Sequence, residues 1–397
     1  MKLRLPSIKR ERAGVAFLPM LMLCFLCNFC NNDSHKRETE DKEAIRNGIV
    51  YYEEGRFGGW PANHGIWSWG DEILVGFCAA YYMDRGRSHA VNPEKPEHHV
   101  LARSLDGGET WNLEFPEKQK KLLPRGAMLF GTPLPNVEYP PITNLQEPIN
   151  FTHPDFVMTL RMEDHRGGGQ SRFYYSYDRG KSWNGPFALP LFDTPGIAAR
   201  TDYLVEGDNE MLVFLTAGKS DGSEGRTLVV KTVDGGLNWE FLSWIGPEPE
   251  VFRIMPSTVR LSENEILTTV RTRELHRRLI KGWISHDNGK NWEYLTDVAP
   301  DVGVGNPPSL IKLRDGRLAI TYAHRAEPYG MRGRLSEDNG RTWSDPVIFR
   351  EDGGNWDIGY PRSVQRSDGK IVTIYYYWDE ETGPERYIAS TIWDPDS

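Results

Sequence analysis

Short apolar runs alternate with polar turns along nearly the whole chain, and no long stretch carries apolar residues at helical spacing. The commonest unit is a pair of apolar runs joined by a tight polar turn. Gly70-Asp71, Gly207-Asp208-Asn209, Glu263-Asn264, Asp315-Gly316 and Asp368-Gly369 are such turns, and an alternating run follows each, as in Arg317-Leu318-Ala319-Ile320-Thr321-Tyr322. Each unit predicts an antiparallel strand pair.

A second pattern follows most of these pairs. Residues 285–292 read S-H-D-N-G-K-N-W, and the same frame recurs at 104–111, 176–183, 232–239 and 336–343, always with a hydroxyl residue, Asp, Gly and Trp in fixed places. The Asp can cap the N–H groups of a tight turn, the Gly supplies a positive φ, and the Trp packs the hairpin on its neighbour. Each copy therefore marks a hairpin. A strand pair plus a hairpin makes a four-stranded blade, and the aspartates at 106, 178, 234, 287 and 338 repeat near every fifty residues after one longer interval. Short strands also build sandwiches, but even spacing favours radial repetition: an all-β fold, a β-propeller. Six regular units are visible. The last, 359–393, lacks the frame, and residues 48–52 can supply its closing strand. Residues 112–150 form either a long insertion or an irregular seventh blade.

The N-terminus departs from this pattern. Lys2, Arg4, Lys9, Arg10 and Arg12 precede an apolar run at 13–30 that is too short and too near the terminus for a membrane span. Residues 1–30 read as a secretory signal, 31–46 as a polar linker and 47–397 as a single β-propeller catalytic domain, monomeric and exported to the periplasm or cell surface. Cys24, Cys27 and Cys30 offer a lipid-anchor position at 24–30, although none follows the small residue that such signals favour. Cys78 is then alone in the mature chain, so no internal disulfide is expected. A net charge of −9 disfavours nucleic acid as a partner.

Aligning the repeats nominates a site, because in a propeller the starts of the inner strands and the ends of the second strands share one face near the axis. The former fall near Asn63-His64, His153-Pro154-Asp155, Arg200-Thr201-Asp202, Pro256-Ser257, Asn306 and Tyr360-Pro361-Arg362. The latter fall near Tyr81, Arg161, Lys219, Arg271-Thr272-Arg273, His324-Arg325 and Tyr376-Tyr377. His64 and His153 are the catalytic candidates; Arg161, Arg200, Asp202, Arg271, Arg273, His324, Arg325, Tyr360 and Arg362 are the substrate-binding ones. So many guanidinium groups in an acidic chain point to a carboxylate-bearing ligand, an acidic oligo- or polysaccharide. Each residue also has a plainer reading: a strand-end Arg is commonly a solvated rim or ion-pair residue, His153 before proline can cap a strand, and His64 beside Gly65 can be a turn residue. Trp60, Trp67 and Trp69 suit core or rim packing, or stacking on a sugar. His98-His99 is too isolated for a metal site. No cofactor is implied, and a structural metal ion in the propeller channel is the one such group left open.

The repeated frame resembles the Asp-box of sialidase-like propellers, where it is structural. Sialidases use a tyrosine and an arginine triad in place of the usual carboxylate pair, and carry Arg-Ile-Pro at the first inner strand. Here that place reads Phe57-Gly58-Gly59-Trp60-Pro61, and the nearest imitation, Phe252-Arg253-Ile254-Met255-Pro256, lies in another blade with an extra residue. An exo-sialidase is therefore disfavoured, and it stays an alternative together with a non-catalytic glycan-binding propeller. The segments 60–67, 151–156, 199–203, 305–309 and 359–363 resemble the α-L-rhamnosidases of glycoside hydrolase family 145 and the related rhamnose–glucuronate lyases. That resemblance implies removal of terminal α-L-rhamnose from O4 of D-glucuronic acid in arabinogalactan-type glycans, by a propeller of seven blades. It also implies a single histidine in place of the carboxylate pair, which falls on His64. Hydrolysis needs a proton at the glycosidic oxygen; elimination needs a base for the C5 proton and a cation on the carboxylate. The Asn63-His64-Gly65 match places the hydrolase first and the lyase second.

Overall fold

A computed structural model describes residues 44–123, 134–164 and 170–397. Each turn-linked strand pair joins the hairpin that follows it in one antiparallel sheet. Blade 1 contains β2 (Arg56–Gly59), β3 (Ile66–Trp69), β4 (Glu72–Tyr81), β5 (His98–Ser104) and β6 (Asn112–Glu114), with β2 and β3 both pairing with β4. Blade 2 is β7 (Val157–Arg161), β8 (Arg172–Ser176) and β9 (Asn184–Ala188). Blade 3 has β10 (Ile197–Ala198) and β11 (Tyr203–Val205) on β12 (Met211–Gly218), then β13 (Glu224–Thr232) and β14 (Glu240–Trp244). Blade 4 is β15 (Phe252–Arg260), β16 (Ile266–Arg273), β17 (Arg278–Ser285) and β18 (Glu293–Ala299). Blade 5 is β19 (Ser309–Lys312), β20 (Leu318–His324), β21 (Gly330–Ser336) and β22 (Val347–Arg350). Blade 6 is β23 (Gly359–Gln365), β24 (Ile371–Tyr377), β25 (Tyr387–Trp393) and, as its fourth strand, β1 (Ile45–Tyr51).

The inner strands adjoin in sequence around the axis, β11 to β15 to β19 to β23 to β3. Hydrogen bonds from Thr159 of β7 to the His64 carbonyl and to Thr201 complete the ring. The closing strand expected at 48–52 is β1, which pairs antiparallel with β25 from Ile45↔Trp393 to Tyr51↔Ile388. It begins at Ile45, so Ile45 and Arg46 of the expected linker belong to the propeller. The signal and lipid-anchor readings at 1–30 lie outside the described residues. Among those described, no helix is long and apolar enough to cross a membrane.

The expectation of seven blades is corrected: the described residues form six sheets. Asn112–Glu114 is the outer strand of blade 1, and the described residues of the stretch after it build no sheet of their own. Thr143 makes one isolated parallel bridge to Phe187 on blade 2, and Ile149 and Phe151 donate to the carbonyls of Gly235 and Asp208 in blade 3. Pro135, Pro140, Pro141 and Pro148 give the physical reason, since residues without an N–H cannot sustain a ladder.

The five repeated frames share one geometry. The leading hydroxyl accepts from the glycine N–H four residues on, at 2.7 Å for Gly108, 2.9 Å for Gly180 and Gly236, and 2.8 Å for Gly289 and Gly340. The Asp accepts from the backbone N–H four residues beyond itself, as in Asn291 to Asp287 at 2.8 Å. That glycine is always preceded by another positive-φ residue, Gly107, Arg179, Gly235, Asn288 or Asn339. These turns join third to fourth strands. The ends of the antiparallel second strands therefore emerge on the opposite face, where the site is built.

Candidate active site

The first inner segment is shaped by Trp60, held at φ 59 in the left-handed region, and by a single 3₁₀ turn, Pro61–Asn63. This brings His64 to the axis, and the Thr159 and Thr201 hydroxyls fix its carbonyl at 2.9 and 2.5 Å. Gly76 leaves room for the ring: a Cβ there would stand 2.8 Å from that of His64. His64 is 3% exposed, its ring meets the edge of His99 at 4.9 Å, and its Nδ1 accepts from Arg161 Nη1. Burial, reinforced by Arg161, holds its pKa well below the ordinary value. The ring is thus neutral with its proton on Nε2, a hydrogen-bond donor and not an acid.

The other predicted arginines divide by how their charge is used. Arg200 pairs with Glu224 at 3.0 Å and donates to Asn63 at 3.2 Å. Arg362 is buried and gives Nη2 to the carbonyls of Ala62 and Thr201, a bond within the wall. Arg325, also buried, donates to the carbonyls of Ile358 (2.8 Å) and Gly305 (3.1 Å) and to the Tyr376 hydroxyl (2.6 Å). Arg271 differs. Its Nη1 donates to the Tyr360 hydroxyl at 3.1 Å, its Nε has no partner, and it meets no carboxylate among the described residues. Tyr360 is itself held at φ 53, with the Arg325 guanidinium 5.2 Å from its ring centre. A non-glycine residue in this region is strained and persists only where the surroundings fix it.

Not all the predicted residues converge. Asp202 is 8% exposed and bonded to Thr258 of β15, with its pKa pushed up to about 7 by burial against the pull of Arg362. Arg273 ends β16 with an exposed side chain, and half-buried His324 bonds the Pro328 carbonyl at 3.2 Å. His153 needs correction. Blade 2 has no separate inner strand among the described residues, and His153 precedes the second strand, β7, on the face of the repeated turns. There its ring lies 4.8 Å from that of Tyr177, and Asp155 takes Arg179 of the blade 2 frame at 2.6 Å. His64 and His153 are on opposite faces.

Sequence reasoning missed a buried group beside Arg325. Asp357, 1% exposed, accepts from the Tyr376 hydroxyl at 2.7 Å and the Ala90 N–H at 3.1 Å, lies 3.3 Å from Arg386, and stands 2.5 Å from His89 Nδ1. Burial raises its pKa, but His89, Arg386 and Arg325 outweigh that and hold the carboxylate ionised. His89, its side chain 21% exposed, lies between Trp60 at 5.4 Å and Trp356 at 5.3 Å. A histidine oriented at Nδ1 by a buried carboxylate is a common proton-transfer arrangement. Both residues lie in connections without periodicity, so the only signal available was that such connections open on the site face.

The pieces of a sialidase triad are not at the expected place. Arg56, just before the first inner segment, stacks on Tyr81 at 4.0 Å, and Arg253 stacks on Trp283 at 4.3 Å and bonds the carbonyls of Ile245 and Pro247. Among the described residues no group of three His, Cys, Asp or Glu side chains could hold a metal ion.

The BNR repeat-like domain family matches residues 136–373, more than half of the chain. The chain belongs to that family. This BNR-repeat protein is similar to solved structures of the same architecture. A protein of unknown function from Dyadobacter fermentans matches at 19% identity and TM-score 0.65, over 88% of this chain and 98% of that one. The NanB sialidase of Streptococcus pneumoniae matches at 13% and 0.57, over 88% and 70%. An α-L-arabinanase of Penicillium chrysogenum matches at 12% and 0.54, over 88% and 97%. These likenesses show a sialidase-like propeller fold. No curated protein matches the BNR-repeat chain.

Proposed function

We propose that this BNR-repeat propeller is an exported, monomeric carbohydrate-active enzyme that cleaves at a uronate, releasing terminal α-L-rhamnose from O4 of D-glucuronic acid in arabinogalactan-type glycans. The observation that carries the uronate reading is Arg271: a guanidinium at the axial face, spent on no carboxylate among the described residues and touching a strained tyrosine hydroxyl at 3.1 Å. Arg grips carboxylates in fork geometry, and a part-buried one left unpaired is matched by a ligand that brings the charge. The rhamnose linkage rests on the resemblance of the segments around His64, Arg200 and Tyr360.

The geometry supports elimination better than hydrolysis. With the uronate on Arg271, His89, oriented by Asp357, takes the C5 proton. The electron pair forms the C4–C5 double bond as the C4–O bond breaks, and the Tyr360 hydroxyl gives its proton to the departing oxygen, leaving free rhamnose. A hydrolase built on His64 would require that ring to donate a proton. Its Nδ1 is occupied by Arg161 and burial keeps it neutral. Digestion of rhamnose-capped arabinogalactan, followed by absorbance near 235 nm and by sugar chromatography, tests the proposal. Rhamnose together with rising absorbance is expected. Rhamnose without absorbance reverses the choice to hydrolysis, and sialic acid as the only product overturns the reading.

A further inference from the structure

Strand register sets Arg161 of β7 directly opposite Arg172 of β8, so two guanidinium groups leave the same face of blade 2 side by side. Both are buried, at 4% and 6% exposure. Like charges directly opposite destabilise a strand pair, and a buried guanidinium is normally matched by a carboxylate. Neither has one among the described residues. Among the described residues, Arg161 donates Nη1 to His64 and its Nε has no partner, and Arg172 reaches only the Leu123 carbonyl, at 3.4 Å.

The surroundings supply only part of the missing charge: Glu97 acts on Arg161 from a distance and forms no ion pair with either arginine among the described residues. His99, 9% exposed, is kept neutral by burial, and with Nε2–H turned to Glu97 its buried Nδ1 carries a lone pair and no proton. Glu97 faces His99 Nε2 at 3.4 Å, and Glu117 faces His98 at 2.6 Å. Cys78 is a neutral thiol, its pKa pushed well up by burial. The segments 124–133 and 165–169, next to these strands in sequence, contain no Asp or Glu. Burial and, behind it, the Arg172 charge pull the Arg161 pKa down to about 9, more than Glu97 offsets.

We propose that Arg161 and Arg172 bind one small monovalent anion at the junction of blades 1 and 2, a site additional to the Arg271–Tyr360 pair. The donors are guanidinium N–H groups, and nine-tenths burial favours an ion that sheds its water in exchange for charged donors. A halide and a uronate carboxylate share this chemistry, and the test separates them.

The whole protein is melted in a halide-free sulfonate buffer while sodium chloride, or methyl glucuronide, replaces sodium methanesulfonate at constant ionic strength. A saturable Tm rise of about 2–4 °C with chloride is expected. Arg172→Met should abolish it, and should melt higher than the parent in the halide-free buffer because one uncompensated charge is gone. A rise with the glucuronide alone that persists in Arg271→Ala and is lost in Arg172→Met assigns the site to a sugar carboxylate. No saturable rise with either, or an Arg172→Met protein that melts lower in every buffer, overturns the proposal. Should Arg172→Met not fold, bromide-soaked crystals decide: an anomalous peak between the two guanidinium groups is required. Because melting is read and not turnover, this proposal and the assignment of the glycan fail independently.

Discussion

Replacing Asp202 with asparagine should make the protein more stable at alkaline pH and leave it nearly unchanged in acid. Asp202 is 8% exposed, with Oδ2 at 2.8 Å from Thr258 Oγ1 and Oδ1 at 3.3 Å from the Thr258 N–H, and Thr258 Oγ1 in turn lies 2.8 Å from Thr268 Oγ1. A protonated carboxyl suits this chain, donating to Thr258, which donates to Thr268; an amide reproduces both contacts. Burial raises the pKa from 3.8 to about 7, with Arg362 opposing. The sign follows from linkage: a carboxyl that holds its proton more tightly when folded contributes fully below its unfolded pKa, and that contribution is lost as pH rises toward 7. The loss is about 2 kcal/mol by pH 5 and about 4 kcal/mol by pH 8, so a difference of about 2–3 kcal/mol should open between those values. Urea unfolding of both proteins at about pH 5 and about pH 8 measures it. A difference that stays constant with pH, or closes as pH rises, refutes the reasoning.

Other expectations follow from partner counts. Arg271→Ala should weaken uronate binding by about 2–4 kcal/mol, seen as a raised KM or inhibition constant, whereas Arg273→Ala, with its exposed side chain, should change neither. Asp357→Asn should lower kcat by about 10²–10⁴ through His89, with binding of a uronate inhibitor largely kept, while His153→Ala on the opposite face should leave kcat/KM within about twofold. Asp287→Ala removes the acceptor of the Asn291 N–H and side chain and of the Ser285 hydroxyl; a lower Tm, for a cost of about 1–2 kcal/mol, with turnover retained at moderate temperature is expected.

The strand pairs, the five frames and the closing strand were legible because each is a local event: period-two runs, turn residues and capping side chains act within a few positions of one another. Their repetition then determined the ring, and the topology of a blade was enough to place Arg161, Arg271 and Arg325 at second-strand ends on one face. What each of these cations does was not local. Arg200 is neutralised by Glu224 of a neighbouring strand, Arg362 is consumed by wall carbonyls, and Arg271 alone of the three is left to a tyrosine; identical side chains acquired different roles from partners far away in sequence.

The tertiary structure also decided the blade count and the histidines. A stretch at 112–150 looked long enough for a seventh blade, but interrupted by prolines that lack an N–H, its described residues pair at one point with blade 2 and lay their end on blade 3. His153 took its place from blade 2, which lacks a separate inner strand among the described residues, and so lies on the other face. His64 reached the axis as expected, yet Arg161 and burial fixed it as a neutral donor. His89 and Asp357, 268 residues apart, belong to connections with no pattern to read. Periodicity determines which strands form and how they stack, whereas the protonation and pairing of a buried group depend on every charge around it, and only the closed ring brings those charges together.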